Sequence, residues 1–261
     1  MLALRMARPD EAERLAERVL KSDRGNSLAA QILGRALLMQ DRAVEAIVPL
    51  ERAARRSDDP ALGTQLAAAL AAAGRIDEAL DRLRQLSARR PPFSPAFLEL
   101  GGQLSRIGRL EEATAVLEEG LALTPDAIDL QMEFGFVHLK RNDRAAARAL
   151  FLQVRAAVPE RHDCLLALAK VMALDGEYAA AADLYRRALG LRPDDAMTRN
   201  NLASCQLEMG ERDAGEASLR AVAGGAPQLA GMAITSLAAA SHGRFFLRPS
   251  AAAKFLRIEK P

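Results

Sequence analysis

The chain has 261 residues, half of them apolar, so burying a core is well within reach; tryptophan is absent and aromatic residues make up only 4%. Alanine and leucine dominate, a composition that favours helix and is poor in what strands need, so the expected fold class is all-α. The formal net charge of +2, from 36 basic and 34 acidic residues, lacks the basic excess of a nucleic-acid binder.

No run approaches the roughly 18 apolar residues of an integral membrane segment, and the first residues show no apolar stretch of signal-peptide length. A cytoplasmic protein is the expectation. Arginine greatly exceeds lysine and alanine is abundant, an association that points to a bacterial origin.

In chain order, "RPDEAERLAERVL" opens a pattern that recurs in "DRAVEAIVPLERA", "GRIDEALDRLRQL", "GRLEEATAVLEEG", "NDRAAARALFLQV", "GEYAAAADLYRRA" and "GERDAGEASLRAV". The marker residues are Ala12, Ala46, Ala79, Ala113, Ala147, Ala181 and Gly215, spaced by 34 except for one interval of 33 between Ala46 and Ala79. From Ala46 onward, a small residue lies twelve before each marker, at Gly34, Ala67, Gly101, Gly135, Ala169 and Ala203. A turn former lies five before it, at Asp41, Gly74, Gly108, Asn142, Gly176 and Gly210. Large apolar residues follow the marker by four, at Leu50, Leu83, Leu117, Phe151, Tyr185 and Leu219, and proline follows twelve later from Pro91 to Pro227.

Each unit therefore predicts helix A, a tight turn, helix B and a proline stop. Glycine or asparagine supplies the left-handed backbone of the turn, and proline blocks further helix. The small residues let the two helices approach, with the large residue four along expected to fill the next layer. A helix pair this short cannot bury its apolar face alone, so neighbours must stack. The unit from Ser27 to Asp59 is one residue short and carries Asp58 at the proline phase, which leaves its junction near Pro60 irregular.

This period and residue pattern resemble the tetratricopeptide repeat family over about residues 10 to 229, with several phased positions recurring in six consecutive units. The pentatricopeptide family fits less well, given the steady spacing and the phases of small residues and proline. Resemblance implies an α-solenoid of antiparallel helix pairs forming a right-handed superhelix. The expected organisation is an N-terminal partial repeat over 1–26, six repeats over 27–229, and a degenerate repeat and cap over 230–261. Met1 falls at the ninth position of a repeat, so the first unit keeps helix B and only a stub of helix A, leaving an apolar edge that needs a cover.

Signatures of chemistry are missing. The sequence contains no phosphate loop, dinucleotide fingerprint, nucleophile elbow or zinc-protease helix. The acidic pairs Glu111 with Glu112, Glu118 with Glu119, and Asp194 with Asp195 fall where solvated or helix-start acids belong. His138, His162 and His242 have no metal-ligand spacing, and Cys164 and Cys205 read as small buried hydrophobes. No catalytic residue, metal or cofactor is expected.

In the tetratricopeptide family the A helices line a concave face on which peptides or helices dock. What the resemblance implies here is a groove of Leu98, Gly102, Arg106, Met132, Phe136, Leu139, Lys140, Leu166, Lys170, Asn200 and Ser204, apolar in its middle, with Phe136 as the hot spot. The lysine and asparagine clamp by which some members hold acidic chaperone tails is absent: the corresponding pairs are Gln31 with Arg35, Thr64 with Ala68, Leu98 with Gly102, Met132 with Phe136, and Leu166 with Lys170. An amphipathic helix or peptide of a protein partner suits such a groove.

Three functions follow. The first is a non-catalytic interaction scaffold. The second is the targeting or substrate-recognition module of a larger bacterial transferase-type enzyme. The third is self-association through the stack ends, the N-terminal edge of one chain docking head to tail on the C-terminal edge of the next. The tail "SHGRFFLRPSAAAKFLRIEKP" reads as a cap with Ala251 as marker, so that Phe255 and Ile258 cover the last edge. A turn insertion exposes at least one of Phe245 and Phe246, which makes that pair the tail's contact to a partner or an anionic surface.

Overall fold

The structure, a computed structural model, describes residue 6, residues 8–246 and residues 248–257. Among these residues there is no strand, and the chain forms two compact units, Met1–Arg141 and Asn142–Pro261. The first contains α1 (Pro9–Ser22), α2 (Ser27–Met39), α3 (Ala43–Ala54), α4 (Pro60–Ala72), α5 (Ile76–Ser87), α6 (Ser94–Arg106), α7 (Leu110–Leu123) and α8 (Ile128–Lys140). The second contains α9 (Arg144–Ala157), α10 (His162–Leu174), α11 (Tyr178–Leu191), α12 (Ala196–Glu208), α13 (Arg212–Gly225), α14 (Ala230–Ala239) and α15 (Pro249–Phe255), with a 3₁₀ turn at Pro227–Leu229. Consecutive helices pack in pairs within each unit, an all-α solenoid.

The turns obey the sequence. Asp41, Gly74, Gly108, Asn142, Gly176 and Gly210 all have positive φ, between 57° and 82°, and each ends an A helix where a continued right-handed turn would collide with the returning B helix. At the irregular junction, Asp59 caps α4 by accepting from the Ala61 amide at 2.9 Å, ahead of Pro60 at the first helical position. Asp59 also accepts from Gln31 Nε2 at 2.6 Å, and Arg89 reaches back to Asp58 at 2.8 Å. The short unit is thus closed by polar contacts where its siblings have proline.

Packing within a pair follows a knob-and-hollow rule. A Cβ added to Gly101 would lie 2.6 Å from Leu117, and one added to Gly34 would lie 2.7 Å from Leu50. The large residue four after the marker therefore fills the hollow left by the small residue of its own repeat, rather than the next layer. The marker alanines from Ala46 to Ala181 are fully buried, as are Leu50, Leu83, Leu117, Phe151 and Leu219. Burial of this kind is what holds a short helix pair together, at about 25 cal/mol per Å² of apolar surface.

The two layers of a unit are not equivalent. α2, α4 and α6 each touch the next A helix as well as their B partners, so the A helices from α2 to α8 form a continuous layer in the first unit. α12 and α14 do the same in the second.

The C-terminal segment closes the second unit in a shifted register. Ala252 and Leu256 are buried, whereas Ala251 is exposed. This pair repeats the marker spacing one residue later than the sequence suggested, because the turn insertion is one residue longer. Phe255, with Phe246 at 5.4 Å, packs on the rim of the same core. Phe245 is 77% exposed. Ile258 lies outside the described residues, as does Met1.

Candidate partner-binding face

On the A layer of the first unit, α6 and α8 bring forward the side chains that the sequence singled out. Leu98, Gly102, Phe136 and Leu139 are half-buried, and Arg106 and Lys140 are exposed. Met132 is only 2% exposed and belongs to the interior instead. In the second unit Leu166 and Ser204 are half-buried and Lys170 is exposed, but Asn200, at 3%, is buried and donates through Nδ2 to Ser236 Oγ at 2.9 Å. Met132 and Asn200 therefore drop out of the docking set. Both share their repeat position with Leu98 and Leu166, which are half-buried, so spacing alone does not separate the buried pair from the open one.

The middle of this face is more polar than the sequence suggested. Glu99 accepts from Gln103 Nε2 at 2.7 Å and pairs with Arg106 at 3.3 Å. Lys140 Nζ donates to the hydroxyl of Ser105 at 2.7 Å and to its carbonyl at 3.2 Å. Glu133 sits beside the gap at Gly102, where an added Cβ would lie 3.6 Å from its Oε1. Burial pushes the Glu133 carboxyl above its usual range, although the positive charges of Lys140 and Arg106 oppose the shift. Glu99, Gln103 and Glu133 escaped the sequence reading because they fall between the positions assigned to the groove. Their signal was acids at the sixth position of two successive repeats.

Several other titratable groups are tied into the fold. Glu112 is held below the usual carboxylate range by hydrogen bonds from Arg109, and the arrangement recurs with Arg42 and Glu45 and with Arg75 and Glu78. Asp195 caps α12 through the Thr198 amide at 3.1 Å. His138 packs at a tilt against Phe134 with ring centroids 4.5 Å apart, and His242 Nδ1 lies 3.2 Å from the Leu207 carbonyl. Both thiols are buried, and burial pushes each up to about 11. Among the described residues no group of His, Cys, Asp and Glu is placed to hold a metal, and no helix is long and apolar enough to cross a membrane.

The tail carries a contact that spacing did not reveal. Glu216, whose side chain is 5% exposed, pairs with Arg220 at 3.2 Å, Arg212 at 3.5 Å and Arg244. The guanidiniums of Arg220 and Arg244 also lie over the Phe255 ring, at 4.6 and 4.9 Å from its centroid. An acid at a position filled by Ile47, Leu80 and Ala182 in other repeats was the available signal.

Comparison with known families settles the architecture. The tetratricopeptide repeat signature matches residues 1–61, 64–128 and 133–196, and a second signature of the same description matches 172–234. The chain belongs to the tetratricopeptide repeat family. Proteins of this family bind protein partners. No curated protein matches this tetratricopeptide chain in sequence. Among solved structures it is similar to TTC0263, a thermophilic tetratricopeptide protein of Thermus thermophilus, at 25% identity and a TM-score of 0.60, covering 69% of this chain and 99% of that one. MamA of AMB-1 matches at 22% identity and a TM-score of 0.56, over 64% of this chain and 98% of MamA. The Cut9–Hcn1 hetero-tetramer of the APC/C matches at 17% identity and a TM-score of 0.70, over 88% of this chain and 46% of that one. The last two likenesses concern the tetratricopeptide fold alone.

Proposed function

We propose that the protein is a non-catalytic scaffold whose A-helix face holds an amphipathic helix or extended peptide of a protein partner. The supporting observation is the face of α6 and α8, where half-buried Leu98, Phe136 and Leu139 alternate with exposed Arg106 and Lys140. Apolar shoulders supply the area, and the interleaved charges of Glu99, Arg106, Glu133 and Lys140 select a partner whose apolar stripe is flanked by charges of both signs. In the second unit Leu166 with Lys170 and Ser204 offers a similar, smaller combination. Large side chains at the centre of such a contact dominate its energy, so Phe136 is the anchor. That Cut9 is found assembled with another chain fits a scaffold role for this fold.

Affinity capture from the native cell, comparing the intact protein with Phe136→Glu/Leu139→Glu, tests the reading. Circular dichroism should show unchanged helicity, while the captured partner is lost. Retention of that partner by the folded double variant would overturn the assignment.

A further inference from the structure

The repeat register makes one residue anomalous. Seven positions after each marker stand Ala53, Leu86, Gly120, Val154, Ala188 and Val222, all buried. Val19, seven after Ala12, is 41% exposed. In two repeats the cover is visible: Leu86 lies against Gly63 and Phe97 lies against Gly120, each contact made with the preceding A helix. Beside Val19 lies a recess of about 500 Å³ between α1 and α2, floored by buried Ala12, Ala16 and Ala29 and rimmed by exposed Leu15, Val19 and Leu28.

We infer that this N-terminal edge docks on the same edge of a second copy, giving a closed two-fold dimer. A surface with both a small-residue hollow and large apolar knobs is complementary to itself under a two-fold rotation, the knobs of each copy entering the hollow of the other. Charge along α1 agrees. Its first half carries Asp10, Glu11 and Glu13 against Arg14, and its second half Arg18 and Lys21 against Glu17, so the two halves differ in sign. Antiparallel packing of two copies sets acid against base and opposes the helix dipoles.

The opposite end argues against the head-to-tail alternative. There Ala252 and Leu256 are buried and Phe255 and Phe246 are packed over the last repeat, while Glu216 and its three arginines tie the segment down. An edge already covered offers no acceptor for α1. Two helices about 20 Å long and 10 Å wide each give a face of roughly 400 Å². That suits a reversible dimer rather than an obligate one.

Sedimentation equilibrium of the full chain from about 1 to 100 μM checks the inference. The average mass should rise with concentration and level off at the dimer. Leu15→Glu/Val19→Glu, on exposed positions, should weaken association by about tenfold or more with an unchanged helical spectrum. Leu28→Glu, on the other rim, should do the same if the double variant folds poorly. Phe136→Glu/Leu139→Glu should dimerise normally, which separates this edge from the partner-binding face. A monomer throughout, growth beyond the dimer, or association indifferent to both rim variants would overturn the proposal.

Discussion

Leu117 occupies the space that a side chain on Gly101 would need, with its Cγ and Cδ2 2.6 Å from where a Cβ would be built. The same relation joins Leu50 to Gly34. It explains why the small residue and the large one recur together: the pair is one packing unit.

Gly101→Val should therefore destabilise the protein by about 1–3 kcal/mol through overpacking, despite the better helix propensity of most side chains over glycine. Urea unfolding followed by circular dichroism measures it. Adding Leu117→Ala should recover part of the loss, because the second change vacates the space the first one claims.

Glu216 is the centre of the tail clamp. Glu216→Gln keeps the size but removes the charge, leaving Arg212, Arg220 and Arg244 mutually repelling around a neutral amide. A loss of about 1–3 kcal/mol is expected, at the scale of a charged hydrogen bond and well below that of a fully buried pair, since the arginines stay partly solvated. Limited proteolysis should then cut after Arg244 or Arg248 faster than in the parent protein, while α1 to α11 resist as before.

Glu133 gives the fold a pH dependence of definite sign. Burial raises its folded-state pKa above the unfolded value, so between the two values the folded chain binds more protons. Its contribution to stability is complete below the unfolded pKa and is lost as pH rises through the folded pKa. Glu133→Gln should accordingly raise the thermal midpoint at pH 7 and leave it nearly unchanged near pH 4. An equal shift at both pH values would show that the gain comes from something other than ionisation.

Much of this was legible in the sequence, and the reason is that a solenoid writes its contacts at fixed spacing. The turn residues Asp41 to Gly210 adopt the predicted left-handed backbone because helix reversal over so few residues allows little else. The buried markers follow from a helical period set against a 34-residue repeat. Inside the candidate face the reading was less complete. Met132 and Asn200 share spacing with open positions, and their burial depends on side chains of neighbouring helices that no period encodes.

At the ends the sequence determined less, since a terminal unit has lost the repetition that makes its neighbours readable. Composition and phase were enough for an all-α stack of helix pairs and for the six turns from Asp41 to Gly210, because those depend on backbone sterics and local packing. Only the tertiary structure could decide that Ala252 and Leu256, not Ala251 and Phe255, close the last core, and that Glu216 joins Arg212 and Arg220 of its own helix to Arg244 of the tail. It also decided that Val19 stands uncovered where its six counterparts are buried. Burial is a property of what lies alongside, and what lies alongside is fixed by contacts between residues distant in sequence.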